Sequence, residues 1–271
     1  MEKNIVSLVL YNYNVDQIIN FVQKVYSNNS GCLIFLIDNS SKNNIQYFEK
    51  LRFVKYIKSK TNIGFGKGHN ISISYCIEND IKYCFIMNYD IDFDIHIFDI
   101  FKQYMEENSG IAMLMPKVVN KDYSQQWLPK LQPSPLSILK RKLFHMSNNI
   151  LFRTFINKYE FRNVDTSKNY NVPNLSGCFF LLNIGLLKYE ALFDERYFLY
   201  FEDYDLSRKL TSKYKTVLNN NSFVIHDYQS MANKKVNLFL IFFSSYCKFF
   251  NKWGWFNSTD LKKINTIYTV K

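Results

Sequence analysis

The sequence predicts an α/β fold: a mostly parallel central sheet flanked by helices. Three observations predict it. Short apolar runs alternate with amphipathic stretches from residue 5 to residue 119. Those runs are apolar throughout, the pattern of strands buried on both faces. The chain has 271 residues, 47% of them hydrophobic, enough to bury a sizeable core.

The elements follow in order. "NIVSLVLYN" predicts a strand over 5–11, and "VDQIINFVQKVY" has helical spacing with Asn14 placed to cap it. "CLIFLIDNSS" is a continuous apolar strand that ends on Asp38 and Asn39. "NIQYFEKL" predicts a helix and "RFVKYIK" a strand. "NIGFGKGHN" predicts a loop that opens a helix over "NISISYCIEN". "KYCFIMN" is another buried strand, "DIHIFDIFKQYMEEN" an amphipathic helix and "IAMLMPKVV" a strand. Residues 120–170 break the alternation: Pro129, Pro133 and Pro135 interrupt the start, then "PLSILKRKLFHMSNNILFRTFINKYEFR" mixes basic and apolar residues. Order returns with strand-like "VPNLSGCFFLLN", helical "DYDLSRKLTSKY" and the late strand "SFVIHDY". "VNLFLIFFSSYCKFFNKWGWF" predicts an apolar, aromatic C-terminal helix with Lys234, Lys235, Lys248 and Lys252 around it. One domain over 1–230 and a helical extension over 231–271 are expected.

The net charge of +11 favours polyanionic partners. No zinc-finger pattern and no RNA-recognition motif occurs, so nucleic acid is set aside. The cysteines are Cys32, Cys76, Cys84, Cys178 and Cys247, odd in number, without CxxC and mostly in apolar runs. That pattern reads as reduced, buried thiols in a cytosolic protein. The apolar stretch in "MEKNIVSLVLYNYN" is too short for a signal peptide, and no segment has the ~18 apolar residues of a spanning helix. A soluble or peripheral protein is expected.

Four stretches carry chemistry. "CFIMNYDIDFDIH" runs from an apolar strand into Asp90, Asp92 and Asp94. A calcium loop of the EF-hand type would need Gly and Glu where Ile95 and Phe101 stand. A solvated strand end and a hard-cation site for Mg2+ or Mn2+ both remain open. In "NIGFGKGHN", Gly64, Gly66 and Gly68 match neither the dinucleotide fingerprint nor the P-loop. They suit either a flexible loop or a backbone that approaches a phosphate or sugar, with Lys67 and the helix N-terminus adding positive potential. In "FDERYFLYFEDYDLSRKL", Glu202, Asp203 and Asp205 crowd a helix start, where acids complement the helix dipole. Partial burial and like charges would also make one of them a general base. His226 in "VIHDY" is either structural or a metal ligand.

The order of these motifs resembles the inverting GT-A glycosyltransferases of glycosyltransferase family 2. It is most similar to their rhamnosyltransferase-like and galactofuranosyltransferase-like bacterial branch. The resemblance spans about 5–230, lapses over 120–170, and rests most on the N-x-GF-x-x-x-x-N loop and the FDE…YFED-x-DL block. It implies a Rossmann-like GT-A domain, with a nucleotide-sugar half over 1–119, a variable basic insert over 120–170 and an acceptor half over 171–230. Tyr11, Asn12, Asp38 and Asn39 would hold the base and ribose of a sugar nucleotide. Asn62, Gly64, Phe65 and Asn70 would line the donor site. The family's metal motif aligns with Asn88-Tyr89-Asp90, with Tyr89 where Pro is usual. Asp90 would be the main ligand of Mg2+ or Mn2+, Asp92 a secondary one and His226 a further one. Ser176 and Gly177 would border the acceptor, Asp203 would be the general base, and Glu202 would position acceptor or donor.

The resemblance implies transfer of a sugar with inversion, first of all L-rhamnose from dTDP-rhamnose ahead of UDP-sugars. The acceptor would be a lipid-linked (undecaprenyl diphosphate) or growing bacterial surface glycan, such as O-antigen or capsule. The basic insert and aromatic helix would then meet an anionic membrane surface on the cytoplasmic side. The rival expectation is a degenerate, non-catalytic subunit that binds nucleotide sugar or polysaccharide; Tyr89 and the altered middle segment allow it, and Asp90 with Asp203 argues against it.

Overall fold

A computed structural model of the chain describes residues 4–42, 44–147, 150–226, 235–256 and 259–269. The first half alternates as expected: β1 (Asn4–Leu10), α1 (Val15–Asn28), β2 (Cys32–Asp38), α2 (Ile45–Phe48), β3 (Val54–Lys58), α3 (Phe65–Glu78), β4 (Tyr83–Met87), β5 (Ile91–Phe93), α4 (Ile97–Glu107) and β6 (Ile111–Val119). The second half contains α5 (Pro135–Ser147), α6 (Arg153–Tyr159), β7 (Tyr170–Asn171), β8 (Phe179–Asn183), α7 (Ile184–Leu187), α8 (Glu202–Thr211), β9 (Lys215–His226), α9 (Lys235–Trp253) and α10 (Thr259–Thr269).

The strands form one sheet in the order β3-β2-β1-β4-β8-β6-β9-β5, with β7 paired to β9. β3, β2, β1 and β4 run parallel, as do β6 and β9. β8 lies antiparallel between β4 and β6. β4 and β8 are buried along their whole length, so the sheet centre is the core. Helices cover it with apolar faces at helical spacing. α1 buries Ile18, Phe21, Val22 and Val25, and the Asn14 side chain caps its start by accepting from the Gln17 N–H at 3.0 Å.

Three local expectations change. The helix after the glycine loop begins at Phe65, so Gly66 and Gly68 lie in its first turns. The acidic stretch contains a short strand, β5, antiparallel to the end of β9. The basic insert is not a break in order: it supplies α5 and α6, and Leu131, Tyr159 and Phe161 enter the main core. The boundary expected at 230/231 and Lys234 lie outside the described residues. α9 packs Phe249 and Phe250 with Tyr197 and Phe201 as a second aromatic cluster, against the segment that leads into α8.

Candidate active site

Parallel strands deliver their carboxyl ends to one rim, and the register pairs Leu10 with Asp38 and Asp38 with Lys58. Tyr11 and Asn12 follow β1 there, both exposed, Asn12 with φ 52 and its N–H on the Ser40 Oγ at 2.9 Å. Asp38 is fully buried. Its Oδ1 accepts from the Ser40 N–H at 2.8 Å and its Oδ2 from the Tyr13 and Tyr56 hydroxyls, so in this arrangement it is a post for the rim. Asn39 reaches the glycine loop: its Nδ2 donates to the Gly64 carbonyl at 3.2 Å. The Gly64 N–H in turn donates to the Asn62 Oδ1 at 3.0 Å.

The glycines are needed for packing within the protein. Gly64 has φ +88, and a Cβ there would lie 2.3 Å from the Phe198 carbonyl oxygen. A Cβ on Gly66 would meet Phe193 at 2.9 Å, and one on Gly68 would meet Val9 at 2.6 Å. Asn70 closes the same contact: its amide exchanges bonds with the Phe193 backbone at 2.8 and 3.0 Å. The ring of Phe65 lies against Gly177, where a Cβ would come within 3.1 Å. The loop thus clamps α3 to residues 193–198, which lead into α8.

At the end of β4, the Asn88 N–H donates to the Cys178 carbonyl at 2.8 Å, tying the acidic stretch to β8. Asp90 Oδ1 and His226 Nε2 face each other at 3.4 Å, both side chains largely buried. β5 pairing with β9 explains the meeting, because Ile91 sits opposite His226. Asp92 is not brought to this pair. It is exposed, and its carboxylate pairs with Lys24 of α1, which holds it below the usual carboxylate range. Asp94 caps the approach to α4 by accepting from the His96 N–H at 2.8 Å. Among the described residues no cluster of three His, Cys, Asp or Glu forms a complete metal cage. A carboxylate facing an imidazole still fits Mg2+ or Mn2+, which complete their coordination with substrate phosphates and water.

Asp203 meets the segment that precedes β8. Its Oδ2 accepts from the Gly177 N–H at 3.2 Å and its Oδ1 from the Tyr204 N–H at 2.8 Å. Burial pushes its carboxyl up, against the lowering effect of those two N–H groups and of the Lys130 charge. Cys178 feels both carboxylates: burial pushes its thiol up to about 12, and the Asp90 and Asp203 charges add to that. Residues 176–178 therefore lie near both carboxylates, with Gly177 bonded to Asp203 and Cys178 within reach of both charges. Ser176 itself is half-buried, its N–H directed at the Met115 Sδ at 3.4 Å. Glu202 is 5% exposed, and its Oε2 meets no hydrogen-bond partner among the described residues. Burial, then the Asp203 charge, pushes it well above the usual range, toward its neutral form.

Of two further buried neighbours, Lys130 has no role in the sequence reading and Asp205 figures there only as one of three acids at a helix start. Lys130 is buried, its ammonium donating to the Leu128 carbonyl at 2.8 Å; burial and the Arg141 charge push it down to about 7. No spacing in "LPKLQP" signals it, because its burial comes from the fold. Asp205 was visible in the acidic block, and the structure gives it work. Its carboxylate accepts from Trp253 Nε1 at 2.6 Å, Lys252 Nζ at 2.8 Å and Tyr197 OH at 3.3 Å, which fastens α9 to α8. The chain enters α8 through two consecutive left-handed residues, Tyr200 (φ 69) and Phe201 (φ 65). Both rings pack on Phe242 of α9.

No family model and no curated protein matches the chain, whereas solved structures do. It is similar to GalNAc-T7, crystallised with UDP, GalNAc and Mn2+, at 14% identity and a TM-score of 0.65 over 98% of this chain and 54% of that one. It is similar to residues 1–349 of TarS from S. aureus in complex with UDP-GlcNAc, at 14% identity and 0.57 over 98% and 71%. The mannosyltransferase PcManGT from Pyrobaculum calidifontis, with GDP-Man and Mn2+, matches at 10% identity and 0.56 over 85% and 58%. The chain thus spans little more than half the length of GalNAc-T7 and PcManGT. At such identities the shared property is the fold, and the chain has the fold of the GT-A glycosyltransferases.

Proposed function

We propose that the chain is an inverting, metal-dependent glycosyltransferase of the family-2 type that uses a nucleotide sugar. The observation that carries this is that two carboxylates, Asp90 and Asp203, both lie close to residues 177–178 on a sheet of the GT-A fold. The donor lies over the rim of Tyr11, Asn12, Asn39 and the Asn62–Asn70 loop, with Asp38 holding that rim in shape. Asp90 and His226 would hold Mg2+ or Mn2+, which would supply positive charge against the leaving diphosphate. Asp203 takes the proton of the acceptor hydroxyl as that oxygen attacks the anomeric carbon from the opposite face. Its two backbone N–H bonds fix its aim, and its raised pKa makes it a stronger base than a solvated carboxylate. Glu202, held toward its neutral form, is suited to donate a hydrogen bond to substrate beside that base. A single displacement inverts the configuration and needs no covalent intermediate.

For the donor, dTDP-rhamnose is the first choice from the motif resemblance. UDP- and GDP-linked sugars follow, since the solved neighbours were crystallised with UDP, UDP-GlcNAc and GDP-Man. The acceptor is a lipid-linked or growing bacterial surface glycan, which puts the protein at the cytoplasmic face of the membrane as a peripheral protein. No helix among the described residues is long and apolar enough to cross a membrane. The test is donor hydrolysis and transfer across a nucleotide-sugar panel with wild type and Asp203→Asn. The variant should keep metal-dependent thermal stabilisation by the nucleoside diphosphate and lose turnover. Wild-type-like turnover in the variant removes the base assignment. Stabilisation without turnover in the wild type, across the whole panel, favours the non-catalytic binding subunit.

A further inference from the structure

Two helices outside the site share an unusual surface. α9 carries an aromatic stripe at helical spacing: Phe239 stacks on Phe243, Phe243 on Tyr246, and Tyr246 packs on Phe250. Its C-terminal half is covered, because Phe250 is 1% exposed and Trp255 folds back over Tyr246 and Phe250. Toward its N-terminal end the stripe is bare: Phe239 is 55% exposed and Phe243 54%. α5 lies beside that bare end, the Lys142 ammonium 5.4 Å from the Phe239 ring. α5 turns its own apolar edge outward, with Leu139 and Leu143 exposed one turn apart and Lys140 and Lys142 between them in the sequence. The two helices together present Leu and Phe side chains edged with lysine.

The charge pattern identifies the partner. No Asp or Glu occurs anywhere in residues 123–159 or 228–259, in a chain that has 23 of them elsewhere. A surface for a second copy or for a typical protein partner has no need to exclude every acid over two separate segments. An anionic bilayer does, because each acid near it is repelled while each Lys adds attraction and the Leu and Phe side chains enter the headgroup boundary. The adjoining flank of α9 packs Phe242 on Tyr200 and Phe201, directly before Glu202 and Asp203.

We propose that α5 and the N-terminal half of α9 form one face that docks on an anionic lipid bilayer, with Leu139, Leu143, Phe239 and Phe243 entering the interface. This deepens the membrane part of the function proposed above and rests on it for its purpose, but its test needs neither donor nor turnover. The test is flotation of the full chain with vesicles of phosphatidylglycerol and phosphatidylcholine, and with phosphatidylcholine alone. The chain should float with the anionic vesicles, much less with the neutral ones, and less as salt rises. Phe239→Ser/Phe243→Ser should lower partitioning at least ~10-fold with an unchanged thermal midpoint. Tyr189→Ser, which removes an exposed ring away from this face, should change nothing. Asp203→Asn should float like wild type, so loss of the base assignment and loss of the docking face are separate results. Absence of flotation, or undiminished flotation of the double variant, overturns the proposal. So does a stable dimer in sedimentation that the double variant abolishes, which would assign the face to a second copy.

Discussion

Replacing Asp205 by alanine tests whether α9 is an integral support of the base helix. The carboxylate is 1% exposed and accepts from Trp253, Lys252 and Tyr197. Lys252 retains a second partner after the change, the Asp194 carboxylate at 2.8 Å. The indole N–H and the Tyr197 hydroxyl lose their acceptor in a closed aromatic cluster. Breaking a buried charge pair costs about 3–5 kcal/mol, and stranded neutral donors cost ~1–3 kcal/mol each. With Lys252 still paired, we expect a loss of about 3–5 kcal/mol in total. For a chain of this size that corresponds to a Tm lower by roughly 6–20 °C. Asp205→Asn keeps an acceptor for the indole and should lose less. Urea unfolding and calorimetry measure both variants, and a double-mutant cycle with Lys252→Met isolates the pair. A loss under ~1 kcal/mol, or strict additivity in the cycle, refutes the brace.

Gly64→Ala places a Cβ 2.3 Å from the Phe198 carbonyl at φ +88, so it should destabilise by at least ~1–3 kcal/mol and weaken nucleotide binding, read by calorimetry and by titration with a nucleoside diphosphate. His69 is fully buried, its Nδ1 2.7 Å from the Ser7 Oγ, and burial pushes it down to about 3. Between that value and the unfolded ~6.5, the unfolded chain takes up a proton that the folded chain refuses, so stability falls as pH drops below ~6.5, by up to ~1.4 kcal/mol per pH unit. Urea unfolding at about pH 7 and about pH 5 should show a smaller difference for His69→Gln than for wild type. Lys130→Met removes a cation that lowers the Asp203 pKa, so the acid limb of the transfer rate should move to higher pH; an unmoved limb separates Lys130 from the base.

Much of the sheet is legible because continuous apolar runs such as "LIFLID" and "CFIM" can only be interior strands. Strand direction is not, because β8 reads like its parallel neighbours and only packing turns it antiparallel. β5 is hidden because its three residues alternate apolar and acidic. Strict alternation would put Asp90 and Asp92 on one face; Asp90 lies in the bend before β5, so one meets His226 and the other meets Lys24. The glycine loop was recognised by its spacing, but its reason lies in Phe193, Phe198 and Val9, which are distant in sequence. The acidic block around Asp203 is legible in the sequence; the Gly177 N–H that bonds it is not, since tertiary contacts leave no periodicity.

The paired left-handed residues before α8 bear on how much of the chain the site needs. Tyr200 and Phe201 hold a backbone shape that large side chains resist, at a cost of about 1–3 kcal/mol each. Their rings are kept in place by Phe242, and the Leu199 carbonyl is bonded by Ser245 at 2.8 Å. Every one of those restraints comes from α9. A fragment ending at His226 would therefore retain all the candidate site residues and lose the anvil beneath the base, so that the turn would be free to relax and carry Asp203 away from Gly177.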